Sequence, residues 1–293
     1  MSEVLEPEGL FKVIAGQVPT DLHPHILLVG SLAAAYHYRQ VLRQRGVNTK
    51  DADLMVRPAG ALSECVRIAT RLLEAGWVRH EKCKASPEGT PAEELRAIRL
   101  WPPDGAPYFI ELLALPALGQ REARVWTPCA LDDGCYGVPS FRYMGVLDLE
   151  SQTSEAGLGY AHPAMMALAN LLSHPRVGPE TMSEPIGGRV LRRASKDLGR
   201  VLALSWLEGR EGTQTWAGLW GRAMHDRFGD EASSLAASLG QGLRELLEDP
   251  GFMDETRHAV DIGLLSGFGV TTDNLAAVGE RLLVDAIEPV EKT

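Results

Sequence analysis

Along the first half of the chain, apolar residues fall in short runs separated by amphipathic stretches, whereas the second half carries them almost entirely at helical spacing. Ile26 to Val29 is a β-branched and leucine-rich run that stops at Gly30-Ser31. The pattern then turns helical from Leu32 to about Arg45, with Gly46 as the stop residue. Asp51 to Val56 reads as the next strand, ended by Pro58 and Gly60, and a helix from about Ala61 to Ala75 runs into Gly76. Leu95 to Leu100 and Tyr108 to Leu113 read as a hairpin around Pro102-Pro103-Asp104-Gly105. From Arg124 to Leu149 the pattern is mixed, with short strands expected around Val125 and Val138.

Ser151 to Gly159 is rich in Ser, Thr and Gly and reads as a linker. After it, helices are expected at Pro163 to Ser173, Gly188 to Leu207, Trp216 to Phe228, Glu231 to Leu247, Met253 to Leu265 and Asn274 to Ala286. The change of texture predicts an α+β chain: a mixed sheet flanked by helices over residues 1–155, then an all-helical domain over 156–293.

A chain of 293 residues suits two ordinary domains, and its 45% hydrophobic content is enough to build their cores. The formal charge of -10 argues against indiscriminate nucleic-acid binding, though a local basic groove remains compatible with it. Neither Ile26 to Val29 nor Ile110 to Leu115 is long enough to span a membrane and no signal peptide opens the chain, so a cytosolic protein without a membrane partner is expected. Cys65, Cys83, Cys129 and Cys135 form no Cys-x-x-Cys pair and are expected as reduced thiols. A zinc site drawn from His80, Cys83, Cys129 and Cys135 matches no closed spacing and is set aside. Trp206, Trp216 and Trp220 are expected to pack in the core rather than to stack on bases.

The chemistry is concentrated in three carboxylates. Asp51 and Asp53 are two residues apart in a strand and therefore project from one face, where like charges repel unless a cation lies between them. Paired oxygen ligands of this kind suit Mg²⁺. Glu111 sits within the apolar run Tyr108 to Leu113, where an uncompensated charge is costly. On a neighbouring strand it would complete a site for two metal ions about 4 Å apart, the arrangement that aligns an attacking oxygen with a leaving phosphate. Gly30-Ser31 lies where a strand becomes a helix, so its N–H groups and the Ser31 hydroxyl are placed for a triphosphate. Arg189, Arg192, Arg193, Lys196 and Arg200 recur at helical spacing and predict a basic stripe that would serve as an acceptor or phosphate groove.

Gly30, Ser31, Asp51, Asp53 and Glu111 occur in the order found in the polymerase-β-like nucleotidyltransferase superfamily, which the chain resembles. Within it, Val29 to Ala34, Thr49 to Val56 and the Lys196-Asp197 pair look most like the AbiEii-type nucleotidyltransferases, toxin components of type IV toxin–antitoxin systems. The resemblance implies Asp51, Asp53 and Glu111 as metal-binding catalytic residues and Gly30, Ser31, Lys196 and Asp197 as nucleotide-binding ones. It further implies a nucleoside triphosphate substrate, two Mg²⁺ ions, an RNA acceptor such as a tRNA 3′ end, and a cognate antitoxin. The chain departs from the pattern at Asn170, where many relatives carry Lys.

Each feature has a plainer alternative. Asp51 to Asp53 could form an Asx-turn at a solvated edge. Glu111 could pair with Arg96 or Arg99, Gly30-Ser31 could be an ordinary helix cap, and Asp197 could pair with Arg193 or Arg200. Three functions follow: transfer of a nucleotide to RNA, transfer to a small cationic acceptor of the aminoglycoside kind, or a nucleotide-binding regulatory module with weakened catalysis.

Overall fold

The computed structural model describes residues 6–42, 49, 51–80, 83–106 and 108–293. They fall in two compact units, one within Met1–Arg39 and Thr49–His162, the other within Gln40–Asn48 and Pro163–Thr293. In chain order the early elements are α1 (Pro7–Gln17), β1 (Ile26–Val29), α2 (Gly30–His37), α3 (Arg39–Leu42), β2 (Asp51–Val56), α4 (Leu62–Glu74), β3 (Val78–Arg79), β4 (Arg99–Trp101) and β5 (Phe109–Ala114). β6 (Arg124–Leu131), β7 (Gly134–Phe141), β8 (Gln152–Thr153) and β9 (Gly159–Tyr160) follow. The helix expected from Leu32 to Arg45 is interrupted at Tyr38, and its expected stop at Gly46 lies outside the described residues.

Seven strands form a mixed sheet in the order β3-β4-β5-β2-β1-β9-β8, while β6 and β7 pair separately as an antiparallel ribbon. β1 is buried at all four positions because it lies inside the sheet, antiparallel to β2 and parallel to β9. β2 and β5 run parallel, and β4 is antiparallel to β5, which realises the expected hairpin. Burial alternates along these strands: Ala52, Leu54, Leu100, Ile110 and Leu112 are inside, whereas Asp51, Asp53, Arg99, Trp101, Phe109 and Glu111 are half-exposed. α4 is amphipathic, burying Cys65, Ile68, Ala69 and Leu72 at helical spacing.

The stretch Ser151 to Gly159 is not a linker. Gln152 and Thr153 pair with Tyr160 and Gly159, and β9 is added to the sheet beside β1. The Ser and Gly residues make the turn: Ser154 N–H donates to the Leu158 carbonyl at 2.8 Å, and Leu158 N–H donates back to the Ser154 hydroxyl at 3.1 Å. Arg57 anchors the segment through Asp148 at 2.7 Å and Ser151 at 2.9 Å. The first unit therefore runs through His162.

The second unit contains α5 (Pro163–Ser173), α6 (Arg193–Phe228), α7 (Ala232–Ala237), α8 (Gln241–Glu248), α9 (Pro250–Ile262), α10 (Thr272–Leu282), a π-helical turn (Leu283–Ile287) and α11 (Glu288–Glu291). α5 begins and ends where the apolar pattern places it and is buried along nearly its whole length. Two helices expected on either side of residue 210 are joined as α6, with a break at Gly209, where φ is 75° and ψ is 178°. That conformation is open to glycine and strained for other residues. Trp216 and Trp220 are fully buried, as expected, and the Trp220 indole donates to the Ala164 carbonyl at 2.8 Å. Among the described residues no helix is long and apolar enough to cross a membrane.

Candidate active site

Strand register assembles the acidic face. β2 and β5 pair with Asp53 beside Glu111 and Asp51 beside Phe109, and the β4–β5 register puts Arg99 beside Glu111. Laterally paired residues share a face, so all three expected carboxylates lie on the same side of the sheet. Asp51 accepts a hydrogen bond from the Thr49 hydroxyl at 2.6 Å. Asp53 is paired in register with Val29 and reaches the turn that follows it. At that turn Gly30 has a φ of 73°, and a Cβ built there would stand 2.7 Å from Asp53 Oδ2. Glycine is thus required both by the backbone conformation and by the carboxylate against it. α2 begins at this point, and the residue in the N-cap position, Val29, supplies no side-chain hydrogen bond to its N-terminus.

Glu111 meets the fate of the simpler alternative as well. Its Oε2 accepts from Arg99 Nε at 2.6 Å, with only 16% of the side chain exposed. Burial pushes the Glu111 carboxyl above its usual range; the Arg99 guanidinium pulls it back, and the charge of Asp51 adds to the rise. For Arg99 burial works against the charge, but Glu111 outweighs it and the guanidinium is held more firmly protonated. An all-oxygen donor set on one face suits a hard divalent cation, and Asp51 and Asp53 fit that role. Among the described residues, however, no group of three or more His, Cys, Asp or Glu stands close enough to form a metal cage. Glu111 is engaged by Arg99 instead.

The same face carries aromatic residues: Trp101 and Phe109 stand two positions from Arg99 and Glu111 along their strands. His80, next to β3, donates its backbone N–H to the Arg99 carbonyl at 2.9 Å. Its ring stacks on Trp101, with centroids 5.1 Å apart and planes at 15°. Phe109 meets both edge-on, at 5.4 Å from His80 and 5.6 Å from Trp101. The Arg99 guanidinium lies 5.2 Å from the Phe109 ring. An open cavity of about 580 Å³ borders His80 and is also lined by Arg79, Lys84 and Tyr136.

The remaining expected residues, Arg189, Arg192, Arg193, Lys196, Asp197 and Arg200, belong to the second unit. They do not form a single helical stripe. α6 begins at Arg193, and the preceding residues leave the helix because Gly187 and Gly188 turn the chain with φ of 55° and 82°. Arg189 pairs with Asp254 at 2.9 Å, Arg192 with Glu255 at 3.3 Å, and Arg193 with Glu180 at 3.2 Å. Arg192 also covers Phe252, 4.2 Å from the ring. These arginines are engaged by acids of their own unit.

Asp197 is the most perturbed carboxylate of that group. Its partner is neither Arg193 nor Arg200 but His174, whose Nε2 is 2.9 Å from Asp197 Oδ2. Burial alone would raise the Asp197 carboxyl, but the His174 hydrogen bond and the charges of Arg200 and Lys196 pull it down to about 2. Asn170 lies in α5, three residues before its end. All four cysteines are free thiols, with Cys65, Cys83 and Cys129 buried.

No family model matches the chain, and no curated protein matches it in sequence.

Proposed function

We propose that the chain is a metal-dependent nucleotidyltransferase that moves a nucleoside monophosphate from a nucleoside triphosphate to an acceptor hydroxyl, with Asp51, Asp53 and Glu111 as its catalytic residues. One observation carries the reading: the register sets Asp53 beside Glu111 with Asp51 on the same face, while the Asp53 carboxylate lies against the Gly30 turn at the start of α2. The N–H groups at that turn and the Ser31 hydroxyl bind the triphosphate tail. Asp51 and Asp53 would hold Mg²⁺, which when bound supplies positive charge against the α-phosphate and the leaving pyrophosphate. Glu111, whose carboxyl burial makes a stronger base than an exposed glutamate, accepts the proton of the acceptor hydroxyl. The acceptor oxygen forms its bond to the α-phosphorus as the bond from that phosphorus to the pyrophosphate oxygen breaks. Arg99 orients Glu111 and restrains its basicity.

The resemblance to AbiEii-type enzymes supports an RNA acceptor and a toxin-like role with a cognate antitoxin. A second reading, a nucleotide-binding module without transfer, is favoured by the Arg99–Glu111 pair, which occupies the base. Incubation with each labelled triphosphate, Mg²⁺ and total RNA separates the two. Transfer is expected to place label on RNA and release pyrophosphate. Asp53→Asn should cut this on the order of 10³-fold, several kcal/mol of lost charge stabilisation, without lowering the unfolding midpoint. Triphosphate binding with no pyrophosphate released from it, whether RNA, an aminoglycoside or the protein alone is offered as acceptor, selects the module.

A further inference from the structure

We propose that His80, Trp101 and Phe109 form a stacking subsite for a flat heteroaromatic ring on the acceptor, so that the acceptor's terminal unit is a nucleotide base rather than a ring-free polyol. The inference deepens the transferase reading and rests on it for the word acceptor; the binding site itself does not depend on catalysis.

Position is the first argument. In the sheet the triphosphate turn lies at the end of β1, the aspartates on β2, Glu111 on β5 and Trp101 on β4. The aromatic group is therefore on the Glu111 side of the aspartates and away from Gly30-Ser31, with Phe109 on β5 beside Asp51 and Trp101 one strand further out on β4. With neighbouring strands about 4.8 Å apart, β4 lies roughly 14 Å from β1, a span that separates the ring bound there from the triphosphate held at the turn.

Exposure is the second. Two other aromatic pairs are sealed in the core: Phe11 stacks on Tyr36 at 4.2 Å with both buried, and Trp216 and Trp220, 5.6 Å apart, are 0% exposed. His80, Trp101 and Phe109 instead remain half-exposed on the one face that also carries the carboxylates. Burying two aromatic rings fully would contribute more to folding than leaving them accessible. A π surface held rigid by edge-on contacts, yet left open, is the form in which proteins stack bases without reading their sequence.

Charge is the third. The cavity bordering His80 is also lined by Lys84, Arg79 and Asp133; Arg79 is paired with Asp133 at 2.6 Å, so Lys84 is the cation of that lining suited to the phosphate next to a stacked base.

Full-length protein, in chelator and without triphosphate, is titrated with two probes: adenosine 5′-monophosphate and a labelled hexaribonucleotide with a free 3′-hydroxyl. Both are expected to bind, and Trp101→Leu, which keeps apolar volume but removes the ring, should weaken both by roughly 5- to 150-fold. Trp101→Phe should restore most of the loss, and Asp53→Asn should leave binding in place. Equal affinities would assign recognition to the base alone, and tighter binding of the hexamer would assign it to a polymer end; either supports the platform. Undiminished binding in Trp101→Leu, no binding of either probe to the wild-type chain, or an aminoglycoside bound with the same dependence on Trp101 would overturn it. If Trp101→Leu does not fold, Phe109→Leu tests the same surface. Failure of transfer in the wild-type protein would remove the enzymatic reading and leave these binding results standing.

Discussion

The acidic face of the first unit and the start of α6 in the second both concentrate charge, but they resolve it in opposite ways. Around α6, Arg189, Arg192 and Arg193 each have an acid within 3.3 Å, and Asp197 has His174 at 2.9 Å. Those charges each have an oppositely charged or hydrogen-bonding partner within their own unit. On the sheet face, Asp51, Asp53 and Glu111 are brought to one side by backbone register, and Glu111 pairs with Arg99. Like charges brought together by a rigid scaffold raise the free energy of the fold, and such a cost persists where a ligand relieves it. Pairing in the second unit serves stability, whereas the acids gathered in the first carry a repulsion that the proposed cation would relieve.

The comparison breaks most sharply at Gly30. Gly30→Val imposes a left-handed conformation on a β-branched residue and drives its Cβ into the Asp53 carboxylate. A loss of about 2 kcal/mol or more in urea unfolding is expected, together with loss of triphosphate binding. Adding Asp53→Ala should recover part of the stability, because it removes the collision and leaves only the backbone strain. A double variant no more stable than Gly30→Val would show that the carboxylate does not press on the turn.

Asp197 probes the opposite regime. Its carboxyl is held at about 2 against an ordinary 3.8, so its charge stabilises the folded chain by about 2 kcal/mol at pH above 3.8. A depressed acid loses that contribution as pH falls through the folded value. The stability gap between wild type and Asp197→Asn should therefore be about 2 kcal/mol at pH 7 and should close as pH approaches 2. A gap independent of pH would assign the effect to packing rather than charge.

The smallest change is expected at Arg193, whose pair with Glu180 leaves 45% and 72% of the two side chains exposed. Arg193→Ala should shift stability by no more than about 0.5 kcal/mol. A several-fold drop in RNA affinity in this variant would show the arginine leaving its acid for a phosphate and would revive the basic groove.

What could be read beforehand follows from the range of the interactions. β1, β2 and α5 declare themselves through local periodicity, and the acids through strand alternation at Asp51, Asp53 and Glu111. The Arg99–Glu111 pair was accessible as an alternative because a hairpin brings neighbouring strands together. The role of Ser151 to Gly159 was not, since the same small polar residues serve a spacer and a tight turn, and only the neighbouring β1 edge decides between them. The helix expected to start at Gly188 begins at Arg193 instead, because Gly187 and Gly188 both turn the chain. His174 gives no local sign of Asp197, 23 residues away. His80, Trp101 and Phe109 come together only once β3, β4 and β5 are aligned.

The parallel pairing of β2 with β5 makes the placement of Glu111 a matter of parity. Inserting one residue ahead of it in β5 would send the carboxylate among the buried side chains of the opposite surface, whereas inserting two would return it to solvent one rung along. The chain can relocate this acid only in even steps, so length variation in the Pro102 to Asp104 turn is harmless to the centre while an odd change within the strand is not.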